Sequence, residues 1–244
     1  MPRTYLRTEI LRALRNPWTL GFAILFPVAM YLLFGTAPDY GSINTGRGNV
    51  AGLVMANMGL FGVITAAVNV AGSVAEERGS GWNRQLRLTP LPAAVYVGGK
   101  LIAGLVTGFI VLAVIFAIGV ATGARLDLPW LFVAFTFAWI TGTAMFCAFG
   151  LAVGYLFRGD AVLGVVGPLL SLFAFLGGMF IPLDGLGAIR LIAPYTPMYG
   201  PRSLLESLTT GNEVELVALL GTFGWTALFV GVAAWRYRVV TGRE

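Results

Sequence analysis

Histidine is absent from this sequence and cysteine occurs once, as Cys147 within an apolar run. Those two facts exclude zinc centres, haem ligation and a Ser-His-Asp triad. Chemistry must then rest on carboxylates, guanidinium groups and aromatic side chains. The most informative segment that combines all three is the polar stretch Glu76-Glu77-Arg78-Gly79-Ser80-Gly81-Trp82-Asn83-Arg84-Gln85-Leu86-Arg87-Leu88-Thr89-Pro90-Leu91-Pro92. It is too polar to enter lipid, yet it carries Trp82, Leu86 and Leu88 among its charges. In a helix Trp82, Leu86 and Thr89 share one face, and Pro90 would end it. A short amphipathic helix of this kind either lies on a lipid surface or inserts into a groove on a partner protein. Glu76 and Glu77 favour the partner, because anionic headgroups would repel them.

Other polar residues lie in or beside apolar runs. The Gly99-Lys100 pair invites a phosphate-loop reading, but Ala94 stands where the first glycine is needed and Leu101 where Ser or Thr is needed. No ATP site is therefore expected on this chain, and Lys100 is expected to snorkel to the headgroups. Asn57 and Asn69 are about 3.3 helical turns apart, hence roughly 120° around the axis. Each serves either interhelical hydrogen bonding or a wet path. Met55, Met58, Phe61, Phe173, Phe175 and Met179 could wall a path for apolar cargo, or simply pack. A last polar group, Asp184, Arg190, Tyr195, Tyr199, Arg202 and Glu206, lies near the C-terminus.

The elements that position these residues are membrane helices. Of the residues, 57% are hydrophobic and 11% charged, where a soluble domain carries about 25% charged residues. A globular core could not hide so much apolar surface. Six runs approach the ~20 apolar residues that a helical span needs: 18–34, 50–74, 97–121, 130–157, 161–181 and 214–234. They lack the alternation of barrel strands. Pro27 is expected to kink the first, and a cleaved signal peptide is not expected.

Orientation follows from the 16 basic residues. Twelve fall on one side: Arg3, Arg7, Arg12, Arg15, Arg78, Arg84, Arg87, Lys100, Arg158, Arg236, Arg238 and Arg243. Four fall on the other: Arg47, Arg125, Arg190 and Arg202. The positive-inside rule then puts both termini in the cytoplasm. Because these residues flank apolar runs and form no separate patch, the net charge of +5 does not indicate nucleic acid. The expected architecture is all-α, a single membrane domain over 1–244. Residues 1–16 form an amphipathic interfacial helix or merely a basic tail, with Leu6, Ile10, Ala13 and Leu14 on one face and Tyr5, Thr8, Glu9, Arg12 and Arg15 opposite. A cytoplasmic loop spans 75–96 and an outer loop 182–213. The pairs Gly104/Gly108 and Gly150/Gly154 suit close helix packing within the chain.

The loop and its flanks resemble the type-2 permeases of ATP-binding-cassette transporters, particularly the drug-exporter (daunorubicin-resistance-like) branch. The residues that carry the likeness are Glu77-Arg78, Gly81, Leu86, Thr89-Pro90-Leu91 and Gly99-Lys100. A second match is Gly177-Gly178-Met179-Phe180-Ile181-Pro182, followed by Pro194-Tyr195-Thr196-Pro197 and Arg202. Gly79-Ser80-Gly81 is softer than the charged stretch usual in the family. The resemblance implies that Glu76, Glu77, Arg78, Gly81, Trp82, Leu86, Thr89 and Pro90 form a coupling helix that docks on a separate ATPase subunit, which holds ATP and Mg. It implies two permease copies, identical or related, in a bacterial cytoplasmic membrane. It also implies short re-entrant helices in the outer loop, where Gly177, Gly178, Phe180 and Pro182 would form an outer gate.

The function expected is ATP-driven export of a hydrophobic drug, antibiotic or lipid-like molecule, with Met55, Asn57, Met58, Phe61, Asn69, Phe173 and Met179 along the path. No cofactor is expected on the chain itself. The spans lack central acids or bases, which argues against ion-coupled carriers. Export of polysaccharide or lipid-linked glycan is the closest rival. A membrane enzyme acting on lipids is more distant, since the C-terminal polar group lacks paired carboxylates, His or metal ligands.

Overall fold

The computed structural model describes residues 2–80, 92–157, 161–180, 183 and 187–241. Among these, regular structure is helical apart from two isolated bridges, Asn44 with Asn49 and Gly48 with Leu126. The helices are α1 (Pro2–Leu14), α2 (Pro17–Phe34), α3 (Val50–Gly72), α4 (Val74–Gly79), α5 (Ala93–Ala121), α6 (Leu128–Leu156), α7 (Ala161–Leu176), α8 (Ala188–Ile192), α9 (Tyr199–Thr210) and α10 (Leu216–Thr241). A 3₁₀ turn, Ala193–Tyr195, links α8 towards α9.

Among the described residues, four helical stretches are long and apolar enough to cross a membrane: Val50–Gly79, Ala94–Ala121, Leu128–Leu156 and Leu216–Val239. The other two expected spans give shorter apolar helices, Leu20–Phe34 and Gly164–Leu176. The cause at α7 is local. Gly178 adopts φ 75°, and the Gly178 and Met179 amides donate back to the Phe175 and Ala174 carbonyls at 3.1 and 2.9 Å. This is a Schellman ending, and it stops the helix after 16 residues, about 24 Å. Pro27 lies inside α2 without breaking it.

α3 is the axis of the bundle, packed chiefly against α5 and α6. In its most apolar window 83% is buried, against 22% for α10, so α10 lies on the periphery. Lipid is as apolar as these side chains, so close packing through small residues has to hold the bundle together. A Cβ on Gly104 would sit 2.8 Å from Cys147 Sγ, and one on Gly150 would sit 2.8 Å from the Val68 carbonyl. The two glycine pairs thus pack α5 and α6 against each other and against α3, within one chain.

The chain ends share one end of the bundle: α1 pairs with the start of α5 through Glu9 and Lys100, and Arg236 of α10 reaches the Tyr155 carbonyl at the end of α6. At the opposite end Asn49 caps α3, accepting from the Gly52 amide at 2.8 Å. The same oxygen accepts from the Arg125 amide at 2.8 Å. Its Nδ2 donates to the Gly41 and Gly123 carbonyls at 3.0 and 2.9 Å. One side chain thereby ties the start of α3 to two connections, the α2–α3 and the α5–α6 loops.

Candidate functional site

At the terminal end, the base of the 75–96 loop is built around a buried charge cluster. Gly99 makes it possible. A Cβ there would lie 2.5 Å from Tyr5 Cε1, so glycine leaves room for the Tyr5 ring where α1 lies against α5. One turn after Tyr5, Glu9 then meets Lys100. Lys100 Nζ donates to Glu9 Oε1 at 2.5 Å, to Glu77 Oε1 at 2.5 Å and to Ser73 Oγ at 2.8 Å. Arg12 Nη1 donates to Glu77 Oε1 at 2.5 Å, and Tyr96 OH donates to Glu77 Oε2 at 2.5 Å. Two carboxylates face two cations, so the cluster is neutral.

Lys100 is fully buried and does not snorkel to the headgroups. The correction has a physical cause: with α1 folded over it, the ammonium meets two carboxylates and a hydroxyl before it reaches any interface. Glu9 likewise departs from its expected place on the exposed face of α1, and is buried. Burial, then the negative charge of Glu9 and Glu77, raises the Tyr5 phenol far above its ordinary range. Tyr5 stays a neutral donor, directed at the Tyr96 carbonyl at 3.5 Å.

The sequence-predicted docking residues divide around this cluster. Glu76 is exposed and lies 3.9 Å from Arg12. Glu77 is buried, with its carboxylate turned inward. Arg78 donates to the Gly154 and Tyr155 carbonyls at 3.1 and 2.9 Å, closing the exposed end of α6. Gly81, Trp82, Leu86, Thr89 and Pro90 lie outside the described residues. Arg78 and Glu77 therefore fix the root of the loop, and Glu76 faces outward beside it. Sequence reasoning missed Glu9, Ser73 and Tyr96 as members of the cluster. The available signal was a lone lysine in an arginine-rich chain, next to a glycine.

The opposite end contains a cleft of about 620 Å³ between the start of α3, the end of α7 and α9. Asn57, Met58, Gly178, Met179 and Phe180 line it, and so do Arg190, Tyr199, Arg202 and Glu206. Phe61 stands just behind, its ring 5.2 Å from that of Phe180, with Phe26 completing an aromatic trio at 5.6 and 6.0 Å. The other expected path residues are elsewhere. Met55 is buried against Gly119, Phe173 packs on Phe149 at 6.0 Å, and Asn69 sits near the terminal end, its carbonyl accepting from the Ser73 amide. Gly177 packs under Met198; Pro182 lies outside the described residues, as does Asp184. Tyr195 is exposed and accepts at its carbonyl from Trp225.

Charge on the cleft wall is partly paired. Arg202 Nη2 lies 2.6 Å from Glu206 Oε2, and Tyr199 OH donates to Glu215 Oε2 at 2.5 Å. Burial first, and then that bond to Glu215, pushes the Tyr199 phenol up to about 12. Two wall residues each have a buried polar atom with no partner among the described residues, Asn57 Oδ1 and Arg202 Nε. Among those residues no group of three or more His, Cys, Asp or Glu is placed to hold a metal ion.

Comparison with known proteins bears on both ends. Residues 3–206 match the family model described as ABC-2 type transporter. The chain is also 27% identical over 227 residues to "Putative transport permease YvfS" of Bacillus subtilis (strain 168), covering 91% of each chain.

Proposed function

The chain belongs to the ABC-2 type transporter family, and from that premise we propose that it is the membrane-spanning subunit of an ATP-driven exporter. It is a multi-pass membrane protein, and in this reading all six apolar helices, α2, α3, α5, α6, α7 and α10, lie in the cytoplasmic membrane with both termini inside. A separate subunit hydrolyses ATP, and a second permease copy, identical or related, completes the path. The cargo is a hydrophobic drug, antibiotic or lipid-like molecule.

The observation that carries the proposal is the Glu77–Lys100–Glu9 cluster. Glu77 lies at the entry to the 75–96 loop, Lys100 and Tyr96 at its exit, and Glu9 and Arg12 on α1. The two roots of the loop are thus clamped together, and α1 is clamped to both. A push on the loop would pass into α3 and α5 as a unit and would not be absorbed by splaying of its roots. Gly81, Trp82, Leu86, Thr89 and Pro90 supply the docking surface in this scheme, with Glu76 beside them. Glu77 and Arg78 position that surface and do not themselves touch the partner.

The test is the pair Trp82→Ala with Leu86→Asp. The expected outcome is loss of ATPase association and of export, with the permease still folded in the membrane. Unchanged association and export would show the docking assignment to be wrong.

A further inference from the structure

We infer that the outward face of α1 is a docking surface for an anionic phospholipid leaflet, with Arg7 and Arg15 holding headgroup phosphates and Leu11 at the acyl boundary between them. The inference rests on the preceding reading only in placing the chain in a bilayer. It needs neither nucleotide nor transport.

The charges of α1 are divided between two faces. Glu9 is the single acid before Asp39, and it is 6% exposed and paired with Lys100. Arg12 turns the same way, to Glu77 and Glu76. Tyr5, also on that side, rests on Gly99. Arg7, Leu11 and Arg15 are four residues apart and stack on another face, since the Arg15 amide continues the helical bonding to the Leu11 carbonyl at 2.9 Å. All three are exposed. Among the described residues, the ion pairs of α1 are made by Glu9 and Arg12 alone. The outward face therefore carries two unbalanced positive charges around an apolar side chain.

Depth decides what can balance them. α2 begins at Pro17, two residues after Arg15, and its 18 residues measure about 27 Å, close to the ~30 Å of a hydrocarbon core. Arg15 thus stands where α2 leaves the core. The apolar stretch of α5, Ala94–Ala121, has 28 residues, or about 42 Å, so its ends reach into both headgroup layers. α1 lies against the first two turns of that stretch, at Tyr96, Gly99 and Lys100. A cationic face at this level meets phosphate, which guanidinium binds through paired N–H donors. Because the face is net positive, a net-anionic headgroup fits it better than a zwitterionic one, whose own cation is repelled. Each basic residue at an anionic surface strengthens attachment about fivefold. Leu11, 37% exposed, suits the boundary between headgroups and chains. The same helix carries Glu9 of the buried cluster, so attachment to the leaflet also holds that cluster shut.

The test uses the full chain in phosphatidylcholine nanodiscs, with phosphatidylglycerol added in steps. Lipid preference is read by spin resonance from trace spin-labelled phosphatidylglycerol or phosphatidylcholine, and stability by the thermal midpoint. Wild type should prefer phosphatidylglycerol, and its midpoint should rise as that lipid is added. Arg7→Gln with Arg15→Gln should lose most of the preference and all of the rise, with a midpoint in pure phosphatidylcholine equal to that of wild type. Arg7→Lys with Arg15→Lys should keep most of both, and added salt should weaken both. Unchanged preference or an unchanged rise in the Gln variant would overturn the surface. A midpoint already lowered in pure phosphatidylcholine would overturn it too, showing that the arginines serve folding. So would loss of ATPase association by the Gln variant in phosphatidylcholine alone, which would give this face to a protein partner. An equal rise with inorganic phosphate in place of phosphatidylglycerol would assign it to a free anion and overturn the leaflet. Absence of ATP-driven export with the lipid effects intact would remove the exporter reading and leave this surface standing.

Discussion

Glu77 and Asn57 stand twenty residues apart in one almost continuous helical column, both nearly buried, yet their surroundings differ in kind. At the terminal end, Glu77 has a cation, a phenol and a second cation on its two oxygens. At the opposite end, Asn57 is a residue of the cleft wall, and its buried oxygen has no partner among the described residues. A buried charge cluster that is neutral and hydrogen-bonded throughout is rigid, since moving any member exposes the others. An unmet amide in an apolar wall is costly and has no partner to hold it in place. The first arrangement suits the transmission of force, and the second does not.

The sharpest way to break this contrast is to unbalance the rigid end. Lys100→Met leaves the Glu9 and Glu77 carboxylates facing each other without their shared cation. The expected cost is about 3–5 kcal/mol, seen as a collapsed yield of folded protein and a lower thermal midpoint in detergent. Adding Glu9→Gln and Glu77→Gln to that variant should recover most of the stability. Failure to recover would mean that the cluster is held by packing and not by charge balance.

Asn49→Ala tests whether satisfied amides at the opposite end matter. It removes the cap of α3 and three hydrogen bonds to neighbouring loops, and about 1–3 kcal/mol of stability should be lost. Asn57→Leu, two turns away, should be neutral or stabilising by about 1 kcal/mol, read by the same thermal scan. Matching losses in the two variants would erase the distinction between them.

The smallest effect is expected at Tyr199→Phe, where a partly exposed bond to Glu215 is lost, for less than about 1 kcal/mol. The pH dependence has a definite sign. The folded phenol titrates at about 12, above its ordinary value of about 10. Its contribution is therefore complete below that ordinary value and is lost as pH rises through the folded one. Wild type and Tyr199→Phe should differ by a constant amount at neutral pH and converge only in strong alkali.

Much of the scaffold was legible in the sequence because membrane helices are announced by apolar length. Close packing through Gly104 and Gly150 was legible too, since glycine four residues apart has few other uses in such a helix. Two features were hidden for different reasons. The Glu9–Lys100 pair joins residues 91 positions apart, and helical periodicity assigns every charge to a solvated face unless its partner is known. The shortness of α7 depends on Gly178 taking a left-handed conformation one turn before hydropathy falls. The cleft was hidden because its walls come from α3, α7 and α9. Single segments name Asn57, Met58, Met179 and Phe180, but not their meeting with Arg202 and Glu206.

The clamp at the root of the loop is tested most directly by substrate-stimulated ATP hydrolysis in the permease reconstituted with the separate ATPase subunit proposed for it. The variant to use is the triple Glu9→Gln, Glu77→Gln, Lys100→Met, which leaves only the half-exposed Arg12 charged, once it is shown to fold and to retain the ATPase. The account predicts normal basal hydrolysis with stimulation reduced about tenfold or more, because the roots of the loop can then splay. Full stimulation in that folded, ATPase-bound variant would contradict it.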